Sequence, residues 1–68
     1  MTFGTVTGFD TRKGFGFIQP DEGGRYVFLH ASALARAGLR SLDPGQRVRY
    51  ELVHTRGRES VTNLALVS

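Results

Sequence analysis

The chain has 68 residues, a formal net charge of +3 with a pI near 10.2, and no cysteine, which excludes a disulfide scaffold and a thiolate metal site. This length gives room for one domain, residues 1–68, that buries about 60% of the unfolded chain's surface, so a deep enclosed active site is not expected. The N-terminus lacks a signal-peptide pattern and no stretch approaches the ~18 apolar residues of a membrane span, so we expect a cytoplasmic protein without a membrane partner.

The first predicted strand runs from Thr2 to Asp10 and is rich in β-branched and aromatic residues. Its alternation places Val6 on the inner face, while Gly8 weakens the strand. The polar residues 11–14 then predict a tight turn into the second strand.

The second predicted strand carries two phenylalanines spaced by one residue, continues to Gln19 and is stopped by Pro20. Successive side chains of a strand point to opposite sides. Phe15 and Phe17 therefore share one face, and Ile18 points into the core.

Two glycines flank Phe15 in this strand. We interpret Gly14 and Gly16, which have no Cβ, as open backbone that lets a planar ligand approach the rings. Each glycine costs roughly 0.5–1 kcal/mol of strand stability relative to Ala, which suggests that the glycines serve a function. From this strand alone, the alternative that Phe15 and Phe17 face a second sheet as ordinary core stays open.

The third predicted strand, residues 26–30, repeats the pattern, with Val27 and Leu29 on one face and rings on the other. A hairpin turn at 21–24 separates it from the second strand, so the two strands pair antiparallel. The pair sets four rings side by side over an aliphatic underside: Phe15, Phe17, Phe28 and His30. Rings segregated in this way, with Lys13 at one end, fit a stacking surface for unpaired bases better than core packing.

The next part of the chain is predicted as a short helical stretch followed by a strand. Residues 31–36 are Ala-rich and form one or two helical turns that end at Gly38. Asp-Pro-Gly at 43–45 predicts a turn before a fourth strand, in which alternate residues of 48–52 point inward.

The chain is predicted to end with a hairpin loop at 54–58 and a last strand at 59–67. Leu64 and Leu66 are the expected inward pair of this strand; Val61 is out of phase with them, which a bulge would explain. Five short strands separated by turn-forming residues predict an all-β fold. A small antiparallel barrel is favoured, because closure removes the exposed edges of an open sheet.

The positive charge is uneven along the chain. Up to Leu34, three basic residues are balanced by three acidic ones. The excess comes from the second half: Arg36, Arg40, Arg47, Arg49, Arg56 and Arg58. A basic protein favours a polyanionic partner, but the half that carries the rings is neutral, so we expect stacking rather than charge to dominate binding there.

Two motifs carry a resemblance to a known family. Lys-Gly-Phe-Gly-Phe-Ile at 13–18, followed by Val-Phe-Leu-His at 27–30, is similar to the paired ribonucleoprotein motifs of the bacterial cold-shock proteins. Further segments fall where that family has similar residues: Gly4-Thr5-Val6, Ser32-Ala33-Leu34, residues 41–48 and Asn63-Leu64. The resemblance implies a five-stranded OB-fold barrel, a cold-shock domain. It also implies binding of single-stranded RNA and DNA without cofactors, by an RNA chaperone or transcription antiterminator.

The resemblance implies roles for individual residues. By position, Phe15, Phe17, Phe28 and His30 would stack on bases, and Lys13 would contact the nucleic-acid backbone. Further candidates for the same site are Phe9, Arg25, Tyr26, Arg56 and Arg58. The sequence predicts no catalytic residue, metal ligand, cofactor or small-molecule substrate, and we expect a monomer.

Several positions depart from the family pattern. Where the family usually has Lys-Trp-Phe-Asn in the first strand, this chain has Thr-Gly-Phe-Asp at 7–10, so an indole at Gly8 and a cation at Thr7 are missing. Two positions that are often aromatic are here Ala31 and Leu39. Stacking contributes about 1–3 kcal/mol per base, so the loss of two rings could weaken binding by about 2–6 kcal/mol, or one to four decades.

Five other interpretations compete with a nucleic-acid-binding barrel. An RNA-recognition-motif domain needs two substantial helices, and a phosphate loop needs a third glycine and a following helix. Enzymatic chemistry and metal binding find little support, because His30 and His54 have no accompanying catalytic or ligand spacing. The remaining alternative is a divergent barrel that binds nucleic acid weakly and serves as a protein-interaction module.

Overall fold

The computed structural model describes residues 2–67; Met1 and Ser68, the ends of the predicted domain, lie outside the described residues. The elements are β1 (Thr2–Asp10), β2 (Phe15–Pro20), β3 (Val27–His30), α1 (Ala31–Arg36), β4 (Arg47–Thr55) and β5 (Arg58–Leu66). The strands form one antiparallel sheet in the order β3-β2-β1-β4-β5. The all-β, five-stranded prediction is therefore confirmed.

The sheet curls on itself but is not closed by hydrogen bonds. β3 and β5 are its outer strands; they contact each other, and α1 contacts both of them. No ladder joins β3 to β5 within residues 2–67, so the predicted closure is wrong. The reason lies in β3, which has four residues and leads directly into α1. The result is a small, partly open barrel of the OB type.

The core is aliphatic apart from one tyrosine. Its strand members include Val6, Ile18, Val27 and Leu29, whose inward orientation confirms the alternation predicted for the first three strands. The other buried side chains are Ala33, Leu34, Leu42, Val48, Tyr50, Val61 and Leu64. Among the residues that the structure describes, no charged side chain is buried. Hydrophobic burial therefore holds the barrel together.

A bulge in β1 changes which side its last residues face. Val6 pairs with Ile18 but Gly8 pairs with Phe17, so Thr7 is an extra residue, and its hydroxyl lies 3.3 Å from the Phe17 carbonyl oxygen. A bulge inserts one residue and shifts the alternation beyond it. Phe9 is in consequence half-buried and packed against the core.

A second bulge lies in β5. Arg49 pairs with Ala65 and Glu51 with Thr62, so Asn63 and Leu64 together face the single residue Tyr50 of β4. Asn63 has a positive φ of 51°, and its side-chain amide donates to the Glu51 carboxylate at 2.9 Å. The bulge brings Val61 and Leu64 to the same inner side, as expected. Leu66 pairs with the buried Val48 but is the last residue of this outer strand and is 47% exposed, so the predicted inward pair is wrong at that residue.

The β4–β5 connection is shorter than predicted. β4 continues to Thr55 and β5 begins at Arg58, so the expected loop at 54–58 is a two-residue turn. Arg56 and Gly57 both have positive φ, 52° and 79°. Two such residues in succession form the mirror-image turn whose twist matches a tight hairpin.

Candidate nucleic-acid interface

Five rings lie together on the outer side of β2 and β3, and we call this surface the aromatic face: Phe15, Phe17, Tyr26, Phe28 and His30. Phe15 pairs with His30 and Phe17 with Phe28 across the two strands. The centroid of Phe28 lies 5.7 Å from that of Phe15, 5.9 Å from Phe17 and 6.4 Å from His30. The rings that the sequence placed on one face are therefore brought together.

Four rings of the aromatic face are exposed to solvent, and Phe15 is half-buried. Phe17 is 37% exposed, Phe28 48% and Tyr26 60%, while Ile18 and Leu29 on the reverse side of the same strands are fully buried. The alternative that these rings are ordinary core is therefore wrong. An exposed group of contiguous rings on a small protein marks a binding surface, because burying it from water is favourable.

The rings differ in what they present to a ligand. Phe15 and Phe28 stand at an interplanar angle of 28°, as a stacked pair. Phe17 meets them edge-on, at 79° to Phe15 and 75° to Phe28. Tyr26 precedes β3 rather than belonging to it, and its ring lies 6.4 Å from Phe17. Rings that are tilted against each other can each receive a different base.

Gly14 and Gly16, the glycines on either side of Phe15, have another role than the one predicted. A Cβ on Gly16 would collide with the Gly8 carbonyl oxygen and would lie 2.8 Å from the Phe9 Cα. The absence of a side chain thus lets β1 approach β2 closely and does not open the backbone to a ligand. Gly14 has a positive φ of 79° and ends the β1–β2 turn.

Lys13 lies in this turn, two residues before the first ring. The Asp10 carboxylate accepts hydrogen bonds from the backbone N–H groups of Arg12, at 2.9 Å, and Lys13, at 3.0 Å. The Gly14 N–H donates to the Asp10 carbonyl oxygen at 2.8 Å. Asp10 therefore fixes the turn that carries Lys13, a role that sequence reasoning missed although Asp favours such turns.

His30 has two roles at the other end of the aromatic face. Its ring lies beside Phe28, and its Nδ1 accepts a hydrogen bond from the Ser32 backbone N–H at 3.1 Å, which caps α1. With Nδ1 as the acceptor, the ring hydrogen of neutral His30 is on Nε2. This contact orients the imidazole, and sequence reasoning missed it because His is not a usual cap residue.

The remaining candidates lie at the margins. Phe9 adjoins the aromatic face but packs on the core, and Arg25 directly precedes Tyr26. Arg56 and Arg58 lie at and just after the β4–β5 turn. All three arginines are exposed, and none of them forms an ion pair with another described residue.

Arg47 is engaged within the protein. Its guanidinium binds the Asp21 carboxylate through two hydrogen bonds of 2.5 and 2.7 Å and also donates to the Thr5 hydroxyl at 3.1 Å. The hydrogen bond from Arg47 lowers the pKa of Asp21 below its ordinary value. The first arginine of β4 is thus held against the β2–β3 loop, and β4 does not present a continuous row of free cations.

The positions that depart from the family pattern are open or filled by smaller groups. A Cβ built on Gly8 meets no atom within 4 Å, and Gly8 lines a shallow depression together with Phe9, Phe15 and Phe17. Ala31 lies beside Gly14, and Leu39 packs against the core. The surface next to Phe17 therefore has room for a further ring.

Neither a metal centre nor a membrane-crossing helix is found within residues 2–67. These residues contain no group of three or more His, Asp or Glu side chains placed to hold a metal ion. The single helix described there, α1, has six residues and is too short to cross a membrane.

The chain matches known proteins over nearly its whole length. A family model described as the "'Cold-shock' DNA-binding domain" matches residues 2–67. The chain is 56% identical over 66 residues to the probable cold shock protein y4cH of Sinorhizobium fredii (strain NBRC 101917 / NGR234), which covers 94% of this chain and 96% of that protein. It is 54% identical over 66 residues to the cold shock protein CspA of Rhizobium meliloti (strain 1021), with coverage of 94% and 96%. The chain therefore belongs to the cold-shock domain family, a family of nucleic-acid-binding domains.

Proposed function

We propose that this protein binds single-stranded RNA or DNA by stacking unpaired bases on the aromatic face, and that it acts as an RNA chaperone or as a regulator of transcription or translation. The observation that carries the proposal is a group of five contiguous rings, four of them exposed and Phe15 half-buried, above a buried aliphatic layer. Only unpaired bases can lay their faces on these rings, because the bases of a duplex are already stacked. The protein would act as a cytoplasmic monomer, without a cofactor and without catalysing a reaction.

The proposal gives individual residues distinct tasks. Phe15, Phe17 and Phe28 supply stacking surfaces for bases, and His30 stacks on a base at the end of the aromatic face. Lys13 contacts the nucleic-acid backbone. The marginal candidates would add further contacts: Phe9, Arg25, Tyr26, Arg56 and Arg58. Stacking is tolerant of sequence, since every base has a π face, so we expect broad rather than narrow target preference.

The charges support a shallow dependence on salt. Arg47 is occupied by Asp21, so we expect two to four phosphate contacts, made by Lys13, Arg25 and one or both of Arg56 and Arg58. For single strands, log K falls with log salt by about 0.7 per contact. The expected slope is therefore about −1.4 to −2.8, against about −4 or steeper for a continuous arginine track.

Fluorescence-anisotropy titration tests the proposal. Short labelled pyrimidine-rich and purine-rich single strands are titrated against a matched duplex at several salt concentrations. We expect the single strands to bind in preference to the duplex. Equal affinity for duplex, or a steep slope that flattens when the exposed Arg49 is reversed in charge, would place binding on the basic half instead.

A second candidate function is protein interaction, and the open position at Gly8 favours it. Without rings at Gly8 and Ala31, the aromatic face is smaller than the family pattern and binding to bases is weaker. The same exposed rings could then be buried by a partner protein. Oligonucleotide titration separates the two functions, since the second one predicts that single strands bind only weakly.

A further inference from the structure

A groove of about 1020 Å³ separates the two outer strands of the sheet, on the side where the barrel is not closed. We call it the edge groove. One wall is formed by the end of the β2–β3 loop, β3 and α1, and the other by β4 and β5. Its lining includes Arg25, Phe28, His30, Arg36, Tyr50 and Arg58. The groove exists because β3 and β5 do not pair.

Unpaired positive charge is concentrated in the edge groove. Arg25, Arg36 and Arg58 are exposed and have no acidic partner at ion-pair distance among residues 2–67. Two carboxylates, those of Glu22 and Glu59, also line it, and Glu59 lies 3.0 Å from the His54 ring. Three free guanidiniums thus face one free carboxylate. Guanidinium groups bind phosphate oxygens through paired hydrogen bonds.

Tyr50 lies beneath the floor of the edge groove. Its side chain is fully buried and contributes to the lining of the groove. Its hydroxyl has no hydrogen-bond partner among the described residues. A buried hydroxyl without a partner is costly, and most such groups in proteins are paired with protein or water. Because the hydroxyl is enclosed by the protein, it lies beneath the floor of the groove and is not itself a contact for an occupant.

The edge groove is continuous with the aromatic face. Phe28 and His30 belong to both, since they carry stacking rings and also line the groove. A strand whose bases stack on the rings can therefore pass around the edge of β3 into the groove. An acidic peptide would satisfy the charges but would gain nothing from this continuity.

We propose that the edge groove is a second subsite for the same single strand, in which Arg36 of α1 and Arg58 of β5 hold phosphate groups of nucleotides that extend beyond the aromatic face. The inference rests on the proposed function, since it needs a strand already stacked on the rings. The bases would remain stacked on the aromatic face, and the sugar-phosphate backbone of the following nucleotides would bind in the groove.

Strands of two lengths test the proposal. The shorter, about 4 nucleotides, covers the aromatic face only, and the longer, about 12, reaches the groove; both lie within the range known for OB folds. Affinities are measured at several salt concentrations for the wild type, Arg36→Gln, Arg58→Gln and a matched control. The control is Arg49→Gln, because Arg49 is an exposed arginine of β4 that does not line the groove.

We expect Arg36→Gln and Arg58→Gln each to reduce the magnitude of the salt slope for the longer strand by about 0.7, and Arg36→Gln, whose residue has no part in the primary site, to leave the shorter strand unchanged. Arg49→Gln should change neither. Equal slopes for Arg36→Gln and Arg49→Gln with the longer strand would overturn the proposal, even when the short strand binds normally. A second result would also overturn the proposal: the wild type binds polyglutamate, Arg36→Gln loses that binding, and polyglutamate does not displace the longer strand. The groove would then hold an acidic peptide. Failure of both strands to bind the wild type would refute the proposed function itself.

Discussion

Phe17 and Ile18 are neighbours in β2 that face opposite sides of the sheet, and their truncation should have opposite consequences. Ile18 is fully buried, so Ile18→Ala should lower the free energy of unfolding by about 2–5 kcal/mol. A domain of this length has a total stability of about 3–10 kcal/mol, so that loss is severe. Phe17 is 37% exposed and its main ring contacts are edge-on ones to Phe15 and Phe28. At about 0.5–1.5 kcal/mol for each of these two aromatic pairs, Phe17→Ala should cost about 1–3 kcal/mol.

Binding should respond in the reverse order. Phe17→Ala removes one stacking surface, so we expect a loss of about 1–3 kcal/mol, or about 5- to 150-fold, in affinity for a single strand. Ile18 does not reach the aromatic face, and the milder Ile18→Val, which costs about 0.5–1.5 kcal/mol of stability, should leave the affinity unchanged.

Urea denaturation and anisotropy titration of the same samples provide both measurements for Phe17→Ala, Ile18→Ala and Ile18→Val. The reasoning is refuted by a Phe17→Ala variant that is as unstable as Ile18→Ala, because the ring would then be core. It is equally refuted by a stable Phe17→Ala variant with undiminished affinity.

Three further substitutions follow from single features of the structure. Tyr50→Phe should raise the free energy of unfolding by about 1 kcal/mol, because it removes a buried hydroxyl without a partner; urea denaturation that shows a loss instead would mean that the hydroxyl is satisfied. Gly8→Trp should strengthen single-strand binding by about 1–3 kcal/mol in a titration, since the position is open and lies opposite Phe17; no gain would argue for a different partner. The lowered pKa of Asp21 contributes stability that is present above its unfolded pKa of about 3.9 and is lost as pH falls through the folded value. Thermal melts of the wild type and Asp21→Asn should therefore converge below about pH 4, and a gap that persists in acid would show that the carboxylate's charge is not responsible.

Strict alternation predicted the aromatic face correctly because β2 and β3 are regular between Phe15 and His30. The same rule does not extend beyond Thr7 in β1, since the bulge there turns Phe9 toward the core. In β5 the phase of Val61 against Leu64 indicated a bulge, whereas no comparable signal in the sequence of β1 indicates the one at Thr7. The cap made by His30 and the isolated hydroxyl of Tyr50 likewise depend on contacts between elements. Sequence periodicity carries no information about such contacts.

The bulge at Asn63 also affects how the protein behaves toward other molecules of its kind. β5 is an outer strand of nine residues, and a long, regular outer strand is a template on which another chain can add a strand of its own. Asn63, with its positive φ, interrupts the row of outward N–H and C=O groups and increases the local twist. An incoming strand could therefore stay in register with β5 only on one side of this residue. The irregularity that brings Val61 and Leu64 into the core thus also protects the open barrel from edge-to-edge aggregation.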